Sequence, residues 1–456
     1  MTSNRRSGSR AFRCAGLPAR LARFTVVVGL AALVVAGPAR AAAPGVAATV
    51  PDTTTPARRI GVWTHSAEGT AEFEVLREAA VAFNRAQVEY RAEVYPSINR
   101  NYEDRVHSAA ATGSLPCVLE VDGPFLYAFA WSGYLQPLDR FVSPALLADF
   151  LPSVVAQGTY EGQLYSLGQF DSGLALWGNR RHLRAAGVRI PTVEAPWSLA
   201  EFEHALERVT ALDDVDYALS FNVHVRTNEF YSYAFAPILQ GFGGDLVDRQ
   251  DMRSARGVLD GVRSVAAMRR FQHWFARGWT RAVFDRADDF DTGRAALSWI
   301  GHWKYAAYRR ALGDDLVLIP MPDFGRGITT GMGSWNWAMS STCRHPGGAW
   351  KFLERLLSTK EILRMTAANG AVPARQSALA RSSLYGPGGP LRVFARQLET
   401  GAGVPRPATP GYGSIRNAFS RAVGAIIVGA DVESELARAA AAIDDDFAKH
   451  QGYQRP

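Results

Sequence analysis

Leu297 to Tyr305 reads Leu-Ser-Trp-Ile-Gly-His-Trp-Lys-Tyr, three aromatic side chains and a histidine within nine residues. A second cluster, Gly333-Ser-Trp-Asn-Trp-Ala338, lies downstream. Large flat rings either fill a core or stand around a solute, where they supply apolar area and a stacking geometry. Histidine, asparagine and carboxylates beside them supply the hydrogen bonds that buried polar groups need. Such equipment holds a molecule; breaking bonds takes more. The nine histidines are scattered, with no His-Glu-x-x-His. No cysteine pair has metal-ligand spacing, and no nucleophile elbow, P-loop or dinucleotide glycine pattern stands in context. Asp285, Asp288, Asp289 and Asp291 form an acid run. Its spacing suits neither an EF-hand nor a pair of glycosidase carboxylates on one helix face, so it is expected to be a solvated loop. Neither metal nor cofactor is predicted.

The chain has 456 residues, 47% hydrophobic and 20% charged, enough for two lobes. Its net charge of +7 invites a polyanion as partner. The surplus is local: Arg5, Arg6, Arg10, Arg13, Arg20, Arg23 and Arg40 lie in a stretch without an acid. Without these seven, basic and acidic side chains balance at 43 each, and no nucleic-acid partner is expected. The same stretch explains itself. A basic region is followed by 14 apolar residues, Phe24 to Gly37, and by Ala39-Arg40-Ala41. That run is short for a membrane span and reads as a cleaved signal peptide over 1–43, delivering the protein to a periplasm. No cysteine for lipid attachment follows it. Residues 44–58, rich in Ala, Thr and Pro, read as a flexible leader. Cys117 and Cys343 remain in the mature chain; Cys117 is expected to be a buried free thiol, with a bridge formed after export as the alternative.

Arg59–Trp63 reads as a strand, 71–87 as a helix with Phe73, Leu76, Ala80 and Phe83 on one face, 88–95 as an alternating strand, 102–112 as a helix and 117–121 as a strand. This alternation predicts an α/β domain with a largely parallel sheet. Further on, Ser198 and Glu201 form a capping box, 259–277 is an amphipathic helix, 295–300 a strand, 316–319 a strand, and 347–357, 359–368 and 431–450 helices.

In this order the local patterns resemble the extracellular solute-binding proteins of ABC importers, specifically those for sugars and oligosaccharides. Tyr102–Pro116, ending Ala-Thr-Gly-Ser-Leu-Pro, is similar to a family helix that leads into a strand at Val121-Asp122. Ala128-Phe-Ala-Trp-Ser-Gly-Tyr-Leu-Gln-Pro-Leu-Asp139, Tyr160–Leu167, Leu174-Ala-Leu-Trp-Gly-Asn179, Ala186-Gly187 with Trp197 and Phe202, Phe290–Trp303 and Ala371-Val-Pro-Ala-Arg375 each resemble a family element. Gly168 and Trp177 depart from it, standing where the family has proline and tyrosine.

The resemblance implies a two-lobed Venus-flytrap α/β fold, type II-like, with the ligand cleft between lobes. Lobe 1 would comprise 59–172 plus 334–371, and lobe 2 would comprise 173–333 plus 372–456. The chain would cross near Asp171–Leu176 and Gly331–Trp337. The implied function is capture of a carbohydrate by a monomer and delivery to an ABC permease. The alternatives are a polyol, sugar phosphate or sugar acid on the same fold, kept open by Arg375 and Trp177, or a secreted carbohydrate-active enzyme.

Sugars pair apolar C–H faces with rims of hydroxyls, so aromatic rings and carboxylates at strand ends are the expected contacts. Trp303 inherits a stacking role by its position in the resemblance; Trp299, within a strand, is expected in the core. Trp335 is the second stacking candidate and Asn336 its hydroxyl partner, which would need a bend because neighbours on a strand face opposite ways. Trp337 is expected in the core. Trp63 and His65 end the first strand. Asp122 and Asp171 sit at a strand end and at a crossing. Glu229 and Tyr231, by resemblance, supply an acid and an aromatic, and Arg375 follows the family's proline.

Overall fold

The structure, a computed structural model, describes residues 57–97, 102–221, 229–281 and 289–454. The expected signal peptide, most of the expected leader, Asp285 and Asp288 lie outside them.

Two sheets organise the described chain. The first runs Tyr90–Tyr95, Arg58–Trp63, Val118–Asp122, Trp335–Ser340 and Leu135–Gln136, with Ser166–Gly168 also on Trp335–Ser340. Its first three strands are parallel, as alternation of strands and helices requires. Helix Ala71–Ala86 covers them with Phe73, Leu76, Ala80 and Phe83, and Thr70 caps it by accepting from the Phe73 amide. The second sheet runs Tyr217–Ser220, Ala295–Gly301, Leu174–Asn179 and Leu316–Ile319.

The expectation of a largely parallel sheet holds for the early strands, and Tyr217–Ser220 is also parallel to Ala295–Gly301, but the remaining strands of the two sheets run the other way. Trp335–Ser340 is antiparallel to Val118–Asp122, and Leu174–Asn179 is antiparallel to both its neighbours. The reason is the route of the chain. Trp335 pairs with Asp122, and Leu174 with Gly301. Each returning strand therefore enters at the edge where the parallel strands end, and must run the other way.

The segments expected to cross between lobes are stitched together. Gly173 bridges Met332, and the Thr330 hydroxyl accepts from the Leu174 amide at 2.8 Å. Thr330–Met332 also pairs with Gly403–Pro405, and Phe170–Asp171 with Val372–Pro373. Helix Tyr412–Ile427, which the sequence reading passed over, buries Ile415, Phe419, Val423 and Ile426, apolar residues at helical spacing. It packs against Glu229–Gly241 and Val432–Lys449. The capping box at Ser198 is formed. Among the described residues no helix is long and apolar enough to cross a membrane.

Two expectations are corrected. Cys117 is no free thiol: it is bonded to Cys343, their Cα atoms 4.4 Å apart. The antiparallel pairing of Val118–Asp122 with Trp335–Ser340 brings residues 226 apart in sequence to the same end of one ladder. Asp289 of the acid run is buried and accepts from the Tyr217 hydroxyl at 2.8 Å, with Arg281 and Arg294 each 3.5 Å away.

Candidate functional site

A cavity of about 1170 Å³ lies where the ends of both sheets meet. Five of the ten predicted residues line it: His65, Asp122, Glu229, Trp303 and Trp335. Tyr102, Ser172, Tyr233, Arg406 and Arg416 complete much of the lining.

Trp303 follows the strand Ala295–Gly301 in a short 3-10 turn, His302–Lys304. The residue is 41% exposed, unusual for so large an apolar group in a folded chain, and its ring tilts towards Tyr233 with centroids 6.2 Å apart. His302 beside it is buried and hydrogen-bonds the Asn369 carbonyl at 2.9 Å. Trp299 is in the core, donating to the Ala234 carbonyl, and Trp337 likewise, donating to Gln169.

Trp335 is half-buried, with the His65 ring flat against it at 4.0 Å and Tyr102 edge-on at 5.6 Å. His65 is held by carboxylates: Nδ1 lies 2.9 Å from Glu120, and Nε2 lies 3.6 Å from Glu72. Burial opposes charge on the imidazole, but Glu120, then Glu72 and Asp122, outweigh it and raise the group to about 9. A charged ring therefore stacks on the indole.

A buried ion triad forms the floor. Arg406 grips Asp122 with both terminal nitrogens, at 2.9 and 3.3 Å, and reaches Glu229 at 2.6 Å. Its guanidinium lies over the Tyr233 ring, 5.1 Å from the centroid. The Tyr412 hydroxyl donates to the same Glu229 oxygen. Burial pushes Glu229 up to about 7, against the pull of Arg406. Asp122 ends a strand of the first sheet, Glu229 opens a helix, and Arg406 follows a crossing strand, so the triad ties three distant segments together.

The other five candidates lie off the cavity lining, each for a local reason. Trp63 lies under the Arg105 guanidinium at 3.7 Å. Asp171 is fully buried and accepts from Ser153, the Ser172 amide and the Gly333 amide, pinning both crossings. Asn336 follows strand alternation, without the bend it needed, and donates to the Ser334 carbonyl. Tyr231 is buried, whereas Tyr233, two residues on and thus on another helix face, lines the cavity. Arg375 pairs with Asp149 at 2.7 Å and with the Leu357 carbonyl. Sequence reasoning missed Arg406 altogether; its one local mark is the pair of prolines, Pro405 and Pro407, that hold it in extended chain.

A model of the bacterial extracellular solute-binding protein family matches residues 78–385, and the chain belongs to this family. An uncharacterized lipoprotein of Streptomyces antibioticus is 24% identical over 68% of this chain and 69% of its own length. The maltotriose-binding protein of Pyrococcus abyssi is 22% identical over 55% of this chain, a match that spans 53% of that protein. Among solved structures, the GacH receptor of Streptomyces glaucescens is 22% identical with a TM-score of 0.73, covering 87% of this chain and 98% of that one. The fold is thus the two-lobed α/β fold with a cleft between lobes.

Proposed function

We propose that this protein is a carbohydrate receptor that captures an oligosaccharide in the cleft and delivers it to an ABC import permease. The observation that carries the reading is the half-exposed Trp303 ring in a cavity that also holds the His65–Trp335 stack and carboxylates. A cavity of about 1170 Å³ has room for several sugar units. The maltotriose-binding relative supports a neutral oligosaccharide of that size. Lobes 59–172 with 334–371 and 173–333 with 372–456 close around the solute. The N-terminal basic-apolar-small pattern directs export to the periplasm, where a monomer acts.

The charged-solute variant leaned on Arg375 and Trp177; Arg375 is spent on Asp149 away from the cavity, and Trp177 is buried. Arg406 is offset by two carboxylates. A glycosidase of the usual kind would need two carboxyl groups free to act on one bond; at the cavity, Asp122 and Glu229 are joined through Arg406, and Glu72 lies against His65.

The test is intrinsic tryptophan fluorescence of the mature protein, titrated with maltooligosaccharides, other neutral sugars, polyols and sugar phosphates. A saturable shift with a neutral oligosaccharide, lost in Trp303→Ala with folding intact, supports the reading. Saturation by a sugar phosphate alone would sink the neutral-sugar assignment, and turnover of a chromogenic glycoside would sink the receptor assignment.

A further inference from the structure

Gly301 closes the strand Ala295–Gly301 with φ −85° and ψ −176°, extended backbone open to any residue. The usual demand for glycine, a left-handed turn, is absent, and glycine at a strand end gives up packing. The space beside it supplies another reason. A Cβ built on Gly301 would stand 2.1 Å from Trp303 Cζ3, 2.4 Å from Cη2 and 2.6 Å from Cε3. Carbon atoms in contact stand about 3.5–4.0 Å apart. All three atoms belong to the six-membered ring, so that half of the indole rests on the bare Cα.

The strand has little room to retreat. Gly301 pairs with Leu174, its carbonyl accepts from the Trp177 indole at 3.4 Å, and every residue of Ala295–Gly301 is buried. His302 stands perpendicular to Trp303 and is anchored on Asn369. A methyl at 301 would therefore move the Trp303 ring, whose exposed side faces the cavity.

We propose that Gly301 is a positioning residue that sets solute affinity: the missing side chain lets Trp303 lie back against the strand end, fixing the depth and tilt of the platform a sugar stacks on. Gly301 itself touches no solute. The affinity part of this inference rests on the carbohydrate reading; the seating of the ring does not.

The experiment compares wild type, Gly301→Ala, Trp303→Ala and the double variant, with Trp303→Phe to identify the Trp303 indole resonance in 15N-tryptophan-labelled protein. Gly301→Ala should shift that resonance and weaken maltotriose binding about tenfold or more, as ångström-scale misplacement of a contact does. In the Trp303→Ala background the same substitution should change affinity less than about twofold, the signature of a pair that acts as one. An unmoved resonance, or equal losses in both backgrounds, overturns the proposal. If Gly301→Ala fails to fold, the double variant must fold, because the clash is gone; failure of both overturns it too. Should the wild type bind no carbohydrate, the sugar reading falls and the resonance alone decides the seat.

Discussion

The floor and the Trp303 wall of the same cavity are built on opposite terms. On the floor, Arg406, Asp122 and Glu229 have given up most of their water for one another, and removing Arg406 leaves two carboxylates without their cation. On the wall, Trp303 keeps 41% of its surface exposed and has little of its own to lose. The difference teaches where to look for each property. The floor should govern stability and the wall affinity, although the residues share one lining.

The largest expected effect breaks the floor. Arg406→Ala leaves two carboxylates unpaired and should cost about 3–5 kcal/mol in urea denaturation. A midpoint within error of wild type would mean that solvent already screens the triad, and the contrast would collapse. Next comes the wall. Trp303→Ala should lower affinity for the cognate sugar by about 10–100-fold, from lost stacking and buried area, while stability changes by less than about 1 kcal/mol. Loss of stability without loss of affinity would reverse the assignment. A finer probe of the floor is Tyr412→Phe, which deletes one of the donors to Glu229. It should cost about 1–2 kcal/mol with affinity nearly intact, read by the same denaturation and titration.

The smallest effect concerns pH. Glu229 titrates at about 7 in the folded chain against an ordinary 4.5, so the folded state holds that proton more tightly than the unfolded state. Its contribution is complete below the ordinary value and is lost as pH rises through 7. His65, raised from 6.5 to about 9, contributes fully below 6.5 and loses that contribution as pH rises through 9. Both slopes run the same way, so the melting temperature should fall between pH 6 and 9.5 by about 2–4 °C. His65→Gln should flatten the upper part of that slope only; an unchanged slope would show that Glu120 and Glu72 do not hold the imidazole charged.

The wall was more legible in the sequence than the floor, for a physical reason. Trp303 sits in a strand, glycine and turn whose local order places the ring at a sheet end, and the family resemblance singled it out from Trp299. Trp335 faces the cavity and Asn336 does not because side chains alternate along a strand. Tyr231 is buried and Tyr233 lines the cavity because helix faces turn by about 100° per residue, so two positions along the helix face different ways. Asp122 and Glu229 were visible as a strand end and a helix start, yet nothing local pairs them with Arg406, which is 284 residues from Asp122. Asp171 was picked out by its place in the sequence, but two of its three donors, Ser153 and Gly333, come from segments that only the fold brings to it. Long-range polar networks have no periodicity to read.

The bond between Cys117 and Cys343 has a consequence for the integrity of the chain. Every strand of the second sheet lies between those two residues, so that sheet is part of a covalent ring fastened at the far end of the Val118–Asp122 and Trp335–Ser340 ladder from the cavity. A protease that nicks the backbone once anywhere inside the ring opens it without releasing a fragment. The damaged molecule would stay in one piece until a reductant arrives, and in an oxidising compartment none does.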